Sequence, residues 1–546
     1  MKYVFILIAG LFIAPCFSQA KQKVKVAQGY IEGVQEKSGV YSYKGIPFAQ
    51  PPVGELRWKA PQPPKKWNGV LKATEFGNSP MQKNVYGDMN FRAPKMSEDC
   101  LYLNVWTPAK KADEKLPVLV YFYGGGFVAG DGSEYRYDGE SLAEKGIVTV
   151  TLNYRLGIFG FFSHPELTKE SANNSSGNYG LLDQHAALVW VKKNIAAFGG
   201  DPDKITIAGE SAGSISVSAQ MASPLSKDLI AGAIGQSGAM IYPTFPAIPL
   251  AEAEKNGIIF MEKSQNNSLA ELRKLSAEEL LDKASMPGTF TARGVVDGYF
   301  LPKDPLEIYK AGEQAKVPLL AGWTSAEMPY MVFMKGEYPN PENYKKRIQE
   351  EFDDSAEKAL KLFPGTTEEE VIASASALAS ANFIVFSAWK WADTHIATTN
   401  QPTYVYKFSK QRPPMKAEMG NAKQGLAGGI IKDDGKKEPE ENKMPAGIPG
   451  AAHASDIEYA LGNLATNHVY EWTEEDYAVS DLTERYFENF IKTGNPNGKK
   501  LPEWTVSTTQ IGIIILDINN VTKAEKDNNR EQYLFLSDYF SEKSKK

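Results

Sequence analysis

The hydrophobic pattern opens with an almost unbroken apolar run over residues 4–13. Lys2 lies before it, and Ser18-Gln19-Ala20 after it supplies small residues at the spacing of a cleaved export leader. The run is shorter than the roughly 20 residues a spanning helix needs. Residues 1–20 therefore read as a signal peptide and 21–546 as a single domain. A retained anchor is the bland alternative. A lipoprotein modified at Cys16 is disfavoured by Pro15, which stands where a small residue is expected. No later segment reads as transmembrane.

Beyond the leader the pattern changes twice. Up to about residue 108 the chain is rich in Gly and Pro; Val24-Lys25-Val26, Tyr41-Ser42-Tyr43 and residues 101–105 read as short strands, and Gly45-Ile46-Pro47-Phe48 and Pro51-Pro52-Val53-Gly54 as ordered loop. Strands and helices then alternate. Val118-Leu119-Val120-Tyr121-Phe122 and residues 147–152 are continuous apolar runs, which suits strands buried on both faces of a mostly parallel sheet. Residues 181–197 have helical spacing, with Leu181, His185, Leu188 and Val189 on one face. Ile205-Thr206-Ile207 reads as a third strand and residues 215–221 as the helix after it. Further on, 269–284 and 372–397 read as helices and Val317-Pro318-Leu319-Leu320-Ala321 as another sheet strand. The repetition predicts an α/β fold, with a small N-terminal antiparallel sheet and helical insertions. Residues 416–444 are mostly polar, with charge densest at Lys432, Asp433, Asp434, Lys436, Lys437, Glu438, Glu440 and Glu441; they read as a mobile surface loop, and that charge run as a solvated face rather than a binding site.

Composition narrows the function. Of 546 residues, 42% are hydrophobic and 23% charged, as in a soluble globular protein. The net charge of −6, from 60 basic and 66 acidic side chains, offers no positive field for nucleic acid. Cys16 leaves with the leader, so Cys100 has no partner within the chain and reads as a small buried hydrophobe. The five histidines are scattered, and neither a metal nor an organic cofactor is expected.

Two motifs carry chemistry. Gly209-Glu210-Ser211-Ala212-Gly213 matches the G-x-S-x-G elbow, where a strand turns sharply into a helix and exposes a serine oxygen. The pattern is short, and a glycine-rich packing turn reads equally well from it alone. Tyr123-Gly124-Gly125-Gly126-Phe127 follows a strand, and its glycines let backbone N–H groups approach the oxyanion that acyl transfer creates. Both motifs in the expected order favour an acyl-transfer enzyme over a flexible loop.

Longer motifs carry a family resemblance. Gly45-Ile46-Pro47-Phe48-Ala49, Glu98-Asp99-Cys100-Leu101-Tyr102-Leu103-Asn104-Val105, Asn153-Tyr154-Arg155-Leu156-Gly157, Gly177-Asn178-Tyr179-Gly180-Leu181-Leu182-Asp183-Gln184, Phe198-Gly199-Gly200-Asp201-Pro202 and Gln236-Ser237-Gly238 make the chain similar to the type-B carboxylesterases, cholinesterases and bacterial esterases among them. The resemblance runs from about residue 24 to about 504 and implies the α/β-hydrolase fold. It implies that Glu327, after the 317–322 strand motif, is the catalytic acid. It implies that His453, within Gly450-Ala451-Ala452-His453-Ala454-Ser455-Asp456, is the base, and that Gly125, Gly126 and Ala212 donate to the oxyanion. Ser211, Glu327 and His453 obey the Ser, acid, His order of that fold. Without the resemblance Glu327 reads as an ordinary surface carboxylate.

His164 reads as loop, His185 as a satisfied core histidine, His395 as helical and His468 as irregular. Ser237 is the rival nucleophile but lacks the second elbow glycine, so it reads as structural. Glu210 reads equally as an electrostatic neighbour of Ser211 or as a buried hydrogen-bonding carboxylate. Relatives pair the cysteine of the Cys100 motif with one about twenty residues earlier. Ser79 stands there instead, so the 79–100 loop is expected to be less constrained. That loop offers Tyr86 and Phe91 but no tryptophan, which argues against choline-type cation recognition. The expectation is an exported serine hydrolase, periplasmic or secreted, that cleaves small-molecule carboxylic esters through an acyl-enzyme. It engages no nucleic acid and, once the leader is removed, no membrane. The alternatives are a catalytically idle adhesion protein on the same fold, or hydrolysis of an amide, thioester or lactone.

Overall fold

Strands without polar alternation must bury both faces, and the chain does so. In the computed structural model, which describes residues 21–266, 268–432 and 444–544, Leu116–Phe122, Val148–Leu152, Gly232–Gln236 and Leu319–Thr324 lie almost wholly inside. The leader, and the charge run from Asp433 to Glu441, lie outside the described residues.

These strands belong to one 13-stranded sheet. Its spatial order is Lys21–Val26, Gly29–Gln35, Tyr41–Pro47, Tyr102–Thr107, Val148–Leu152, Leu116–Phe122, Gly200–Glu210, Gly232–Gln236, Leu319–Thr324, Thr403–Phe408, Ile514–Ile518 and Lys523–Lys526, with Val70–Lys72 paired beside the second. Pairing is parallel from Val148–Leu152 to Ile514–Ile518. It is antiparallel from the N-terminal edge up to Val148–Leu152 and at the last pair. The α/β expectation and its antiparallel N-terminal portion are therefore both found. Gly45-Ile46-Pro47, expected as loop, is instead the end of a strand. Its Gly and Pro mark an irregularity in register between Tyr43 and Ile46, with Gly45 at φ 71°.

Helices cover both faces. Tyr179–Asn194 is buried nearly all round, so it has no clean apolar stripe, and Val189, placed on the buried face by periodicity, is 44% exposed. The 269–284 stretch is two helices, Leu269–Lys274 and Ala277–Ser285, rather than one. Ser276 and Glu279 form a capping box that starts the second. Glu368–Ser380, a π-turn at Ala381–Val385 and Phe386–Thr398 run on as one helical rod. The rod is long and apolar enough to cross a bilayer, but 67% of its most apolar window is buried against the rest of the protein.

Cys100 is buried, and burial holds its thiol far above the ordinary range. Ser79 is tied down by hydrogen bonds. Its hydroxyl donates to Asp131, its N–H donates to Lys95 O at 2.8 Å, and its carbonyl accepts from Ser97 N–H at 2.9 Å.

Candidate active site

Parallel strands aim their carboxyl ends at one side of the sheet, and the candidate residues gather there. Gly200–Glu210 runs directly into Ser211, which adopts φ 55° and ψ −121° before the helix Ala212–Ala222. A non-glycine residue in this conformation is strained and must be held by its surroundings. Close packing holds it: a Cβ on Gly213 would fall 2.0 Å from Phe122 O, and one on Gly209 2.5 Å from the Gly213 carbonyl carbon. The Ser211 N–H donates to Gln236 O at 2.8 Å, which fixes the turn to the neighbouring strand.

Glu327 lies just beyond Leu319–Thr324 and is buried. Its Oε1 accepts from the Ser237 hydroxyl at 2.5 Å and from Thr324 N–H at 2.7 Å. Its Oε2 lies 2.5 Å from Nδ1 of His453. The acid and histidine loops are bound to each other: Ala326 N–H donates to Ala451 O at 2.9 Å, and Ala451 N–H to the Ser325 hydroxyl at 3.0 Å. Nε2 of His453 reaches Ser211 Oγ at 3.0 Å, and the edge-to-face ring of Phe383 backs the imidazole at 4.9 Å between centroids. With the histidine proton on Nδ1, facing Glu327, Nε2 is left free to accept from the serine hydroxyl.

The glycine loop leaves the end of Leu116–Phe122 beside this cluster. Its shape is set by Ala129 N–H and Val128 N–H, which both donate to Gly125 O, at 3.0 and 3.1 Å. The N–H groups of Gly125, Gly126 and Ala212 have no acceptor among the described residues. Ala212 opens its helix, so the helix dipole adds to the donor field there.

Glu210 has a defined place. Its Oε1 is 3.2 Å from His453 Nε2 and takes no hydrogen bond. Burial drives the Glu210 carboxyl up, to about 8, against the pull of His453. Burial works against charge on His453 as well, yet Glu210 and Glu327 lift it to about 9. A protonated Glu210 no longer attracts the imidazolium, so the upward direction for His453 rests most firmly on Glu327, which hydrogen-bonds the ring.

Ser237, the rival nucleophile, is turned instead toward Glu327. The other histidines stand apart. His164 Nδ1 accepts from Glu166 N–H at 3.2 Å, and His185 Nδ1 lies 3.0 Å from the Ser226 hydroxyl. His395 is buried with Nε2 3.0 Å from Val317 O, and burial depresses it to about 4. His468 is exposed. Among the described residues no group of three or more His, Cys, Asp or Glu is arranged to hold a metal ion.

A pocket of about 120 Å³ opens onto Ser211. Leu426 and Ala427, from the 416–444 segment expected as a mobile surface loop, help to wall it. They form the tip between the short strands Lys423–Gln424 and Ile430–Ile431. This tip is anchored from below: Arg412 Nη1 donates to Gly428 O at 2.7 Å, and Gly429 N–H donates to Asp88 Oδ2 at 3.3 Å. Ser237's service to Glu327, and these two anchors, went unread in the sequence, because each joins segments far apart along the chain.

A strand-to-helix elbow at the carboxyl edge of a parallel sheet, with an acid and a histidine arriving from later strands, defines an α/β-hydrolase. The profile of the Carboxylesterase family matches residues 20–536, and the chain belongs to that family. It is 33% identical to the para-nitrobenzyl esterase of Bacillus subtilis, over 94% of this chain and 99% of that one. It is likewise 33% identical to the pyrethroid hydrolase Ces2e of Rattus norvegicus, over 91% and 85%. Among solved structures, a PNB esterase superposes with a TM-score of 0.76 at 31% identity, over 94% of this chain and 99% of that one. The carboxylesterase EST55 of Geobacillus stearothermophilus gives 0.76 at 30%, over the same shares. The chain is a carboxylic ester hydrolase acting on small-molecule esters.

Proposed function

We propose that the hydrolysis runs through Ser211, His453 and Glu327 and passes through an acyl-enzyme. The observation that carries this is the pair of contacts on one imidazole, Ser211 Oγ at 3.0 Å on Nε2 and Glu327 Oε2 at 2.5 Å on Nδ1. His453 takes the Ser211 proton as the oxygen attacks the ester carbonyl. The N–H groups of Gly125, Gly126 and Ala212 receive the negative charge that develops on the carbonyl oxygen. Glu327 holds the tautomer and stabilises the imidazolium, and Ser237 and Thr324 N–H hold Glu327. His453 then gives its proton to the departing alcohol. Water attacks the acyl-serine with His453 again as base, which releases the acid and restores Ser211.

The test is Ser211→Ala. Turnover of p-nitrophenyl butyrate is expected to fall by about 10⁴–10⁶, and labelling by a fluorophosphonate probe to disappear. Retention of most turnover in the folded variant removes Ser211 from the chemistry. The adhesion alternative predicts that the wild type itself takes no label.

We also propose that the protein is exported, on the strength of Lys2, the apolar 4–13 run and the Ser18-Gln19-Ala20 site. N-terminal sequencing of protein expressed from the full gene is expected to begin near residue 21. A mature chain that begins at Met1 in the cytoplasm overturns this.

A further inference from the structure

Beside the reacting groups, the pocket is walled largely by hydrocarbon, including Met89, Phe127, Ile215, Phe245 and Phe383. Thr244 in the wall is already engaged, donating to Ser387 Oγ at 2.8 Å, and Tyr137 stands beside the buried Glu134–Arg136 ion pair. Tyr86 differs. It is half-buried in the 79–100 loop, and its phenol has no hydrogen-bond partner among the described residues. Its oxygen stands over the glycine loop, where a Cβ built on Gly126 would meet it at 2.6 Å. The hydroxyl therefore sits within a residue's breadth of the N–H groups that face the scissile carbonyl. Burial, with the negative charges of Asp88 and Glu210, pushes the phenol up, so it keeps its proton and remains a donor.

An uncommitted donor in an apolar pocket acts on selectivity. A purely hydrocarbon substrate strips water from it and gives nothing back; a substrate with an acceptor oxygen in reach restores the bond. We propose that Tyr86 is a specificity-determining residue. Its hydroxyl donates to a second oxygen of the substrate, so the enzyme favours esters with an ether, hydroxyl or carbonyl oxygen a few atoms from the scissile carbonyl over hydrocarbon esters of the same shape. This rests on ester hydrolysis at Ser211. The second oxygen belongs to either the acyl or the alcohol half, and the test separates the two.

The experiment compares kcat/KM in wild type and Tyr86→Phe on two pairs of isosteric esters. The acyl pair is p-nitrophenyl methoxyacetate and p-nitrophenyl butyrate. The alcohol pair is 2-methoxyethyl acetate and butyl acetate. The oxygen-to-hydrocarbon quotient within each pair, compared between the two proteins, cancels intrinsic reactivity. The quotient is expected to fall about 3- to 10-fold in Tyr86→Phe in one pair, and that pair identifies the half of the substrate involved. Quotients unchanged in both pairs overturn the proposal. So does an equal fall on all four esters, which would put the hydroxyl on the scissile carbonyl or in the scaffold. A matching thermal midpoint establishes that the variant is folded. Wild-type turnover of p-nitrophenyl butyrate, and its loss in Ser211→Ala, tests the underlying reading separately.

Discussion

At the residue scale the chemistry turns on who holds the histidine's proton. In the proposed mechanism His453 accepts from Ser211 only when neutral, so its raised pKa is expected to place an acid limb on kcat/KM above the 6.5 of a free imidazole. Glu210, raised by burial, lies 3.2 Å away, and two ionisable groups this close titrate as a pair, in two steps. Between the steps part of the population is imidazolium facing carboxylate and is inactive. Glu210→Gln removes that population. Its limb is expected to narrow to a single titration with a midpoint at lower pH, measured as kcat/KM on a soluble ester from acid to mildly alkaline conditions. An unmoved, unsharpened limb would uncouple Glu210 from the base. At this scale the sequence was partly legible. Ser211 and the glycine loop declare themselves through short motifs, because close backbone approach demands small residues. Glu327 did not. Its distinction is the set of donors around Oε1, Ser237 from 90 residues away and the N–H of Thr324, and no local pattern encodes such a meeting.

At the scale of elements, legibility followed exposure. Helices with one wet face announce themselves by period, whereas Tyr179–Asn194, wrapped on nearly all sides, has almost no period to read, and Val189 was misplaced for that reason. The break between Leu269–Lys274 and Ala277–Ser285 was hidden because Leu275 continues the apolar spacing, although Ser276 and Glu279 spelled out a helix start. Gly45 and Pro47 suggested a loop because both residues punctuate chains. Inside a sheet they instead bend a strand. Most of the long rod Glu368–Thr398 was legible, as 372–397, yet its π-turn was not, and that turn carries Phe383 and Ile384, which line the pocket, Phe383 also against His453.

At the scale of the whole molecule, two excursions from the sheet meet over the catalytic cluster. One brings Tyr86, Asp88 and Met89, the other Leu426 and Ala427. Arg412 joins the second to the body. Its guanidinium pairs with Glu458 at 2.7 Å, the two side chains being 3% and 0% exposed. A charge left without its ion-pair mate in such a place costs about 3–5 kcal/mol, so Arg412→Met, which among the described residues leaves the Glu458 carboxylate only the Asn467 amide as hydrogen-bond donor, is expected to destabilise the protein by up to that order. Loss of thermal midpoint reports it, and a midpoint within a degree or so of wild type would mean that water reaches the site. The segment that builds the second excursion, mostly polar, looked like surface because its partners are supplied only by the assembled fold.

Ser211 and His453 stand 242 positions apart and touch only once the sheet between them has closed. A chain still emerging from the ribosome therefore carries the proposed nucleophile long before the base proposed to activate it. Regained turnover after dilution from denaturant consequently times the completion of long-range topology, not the formation of local structure.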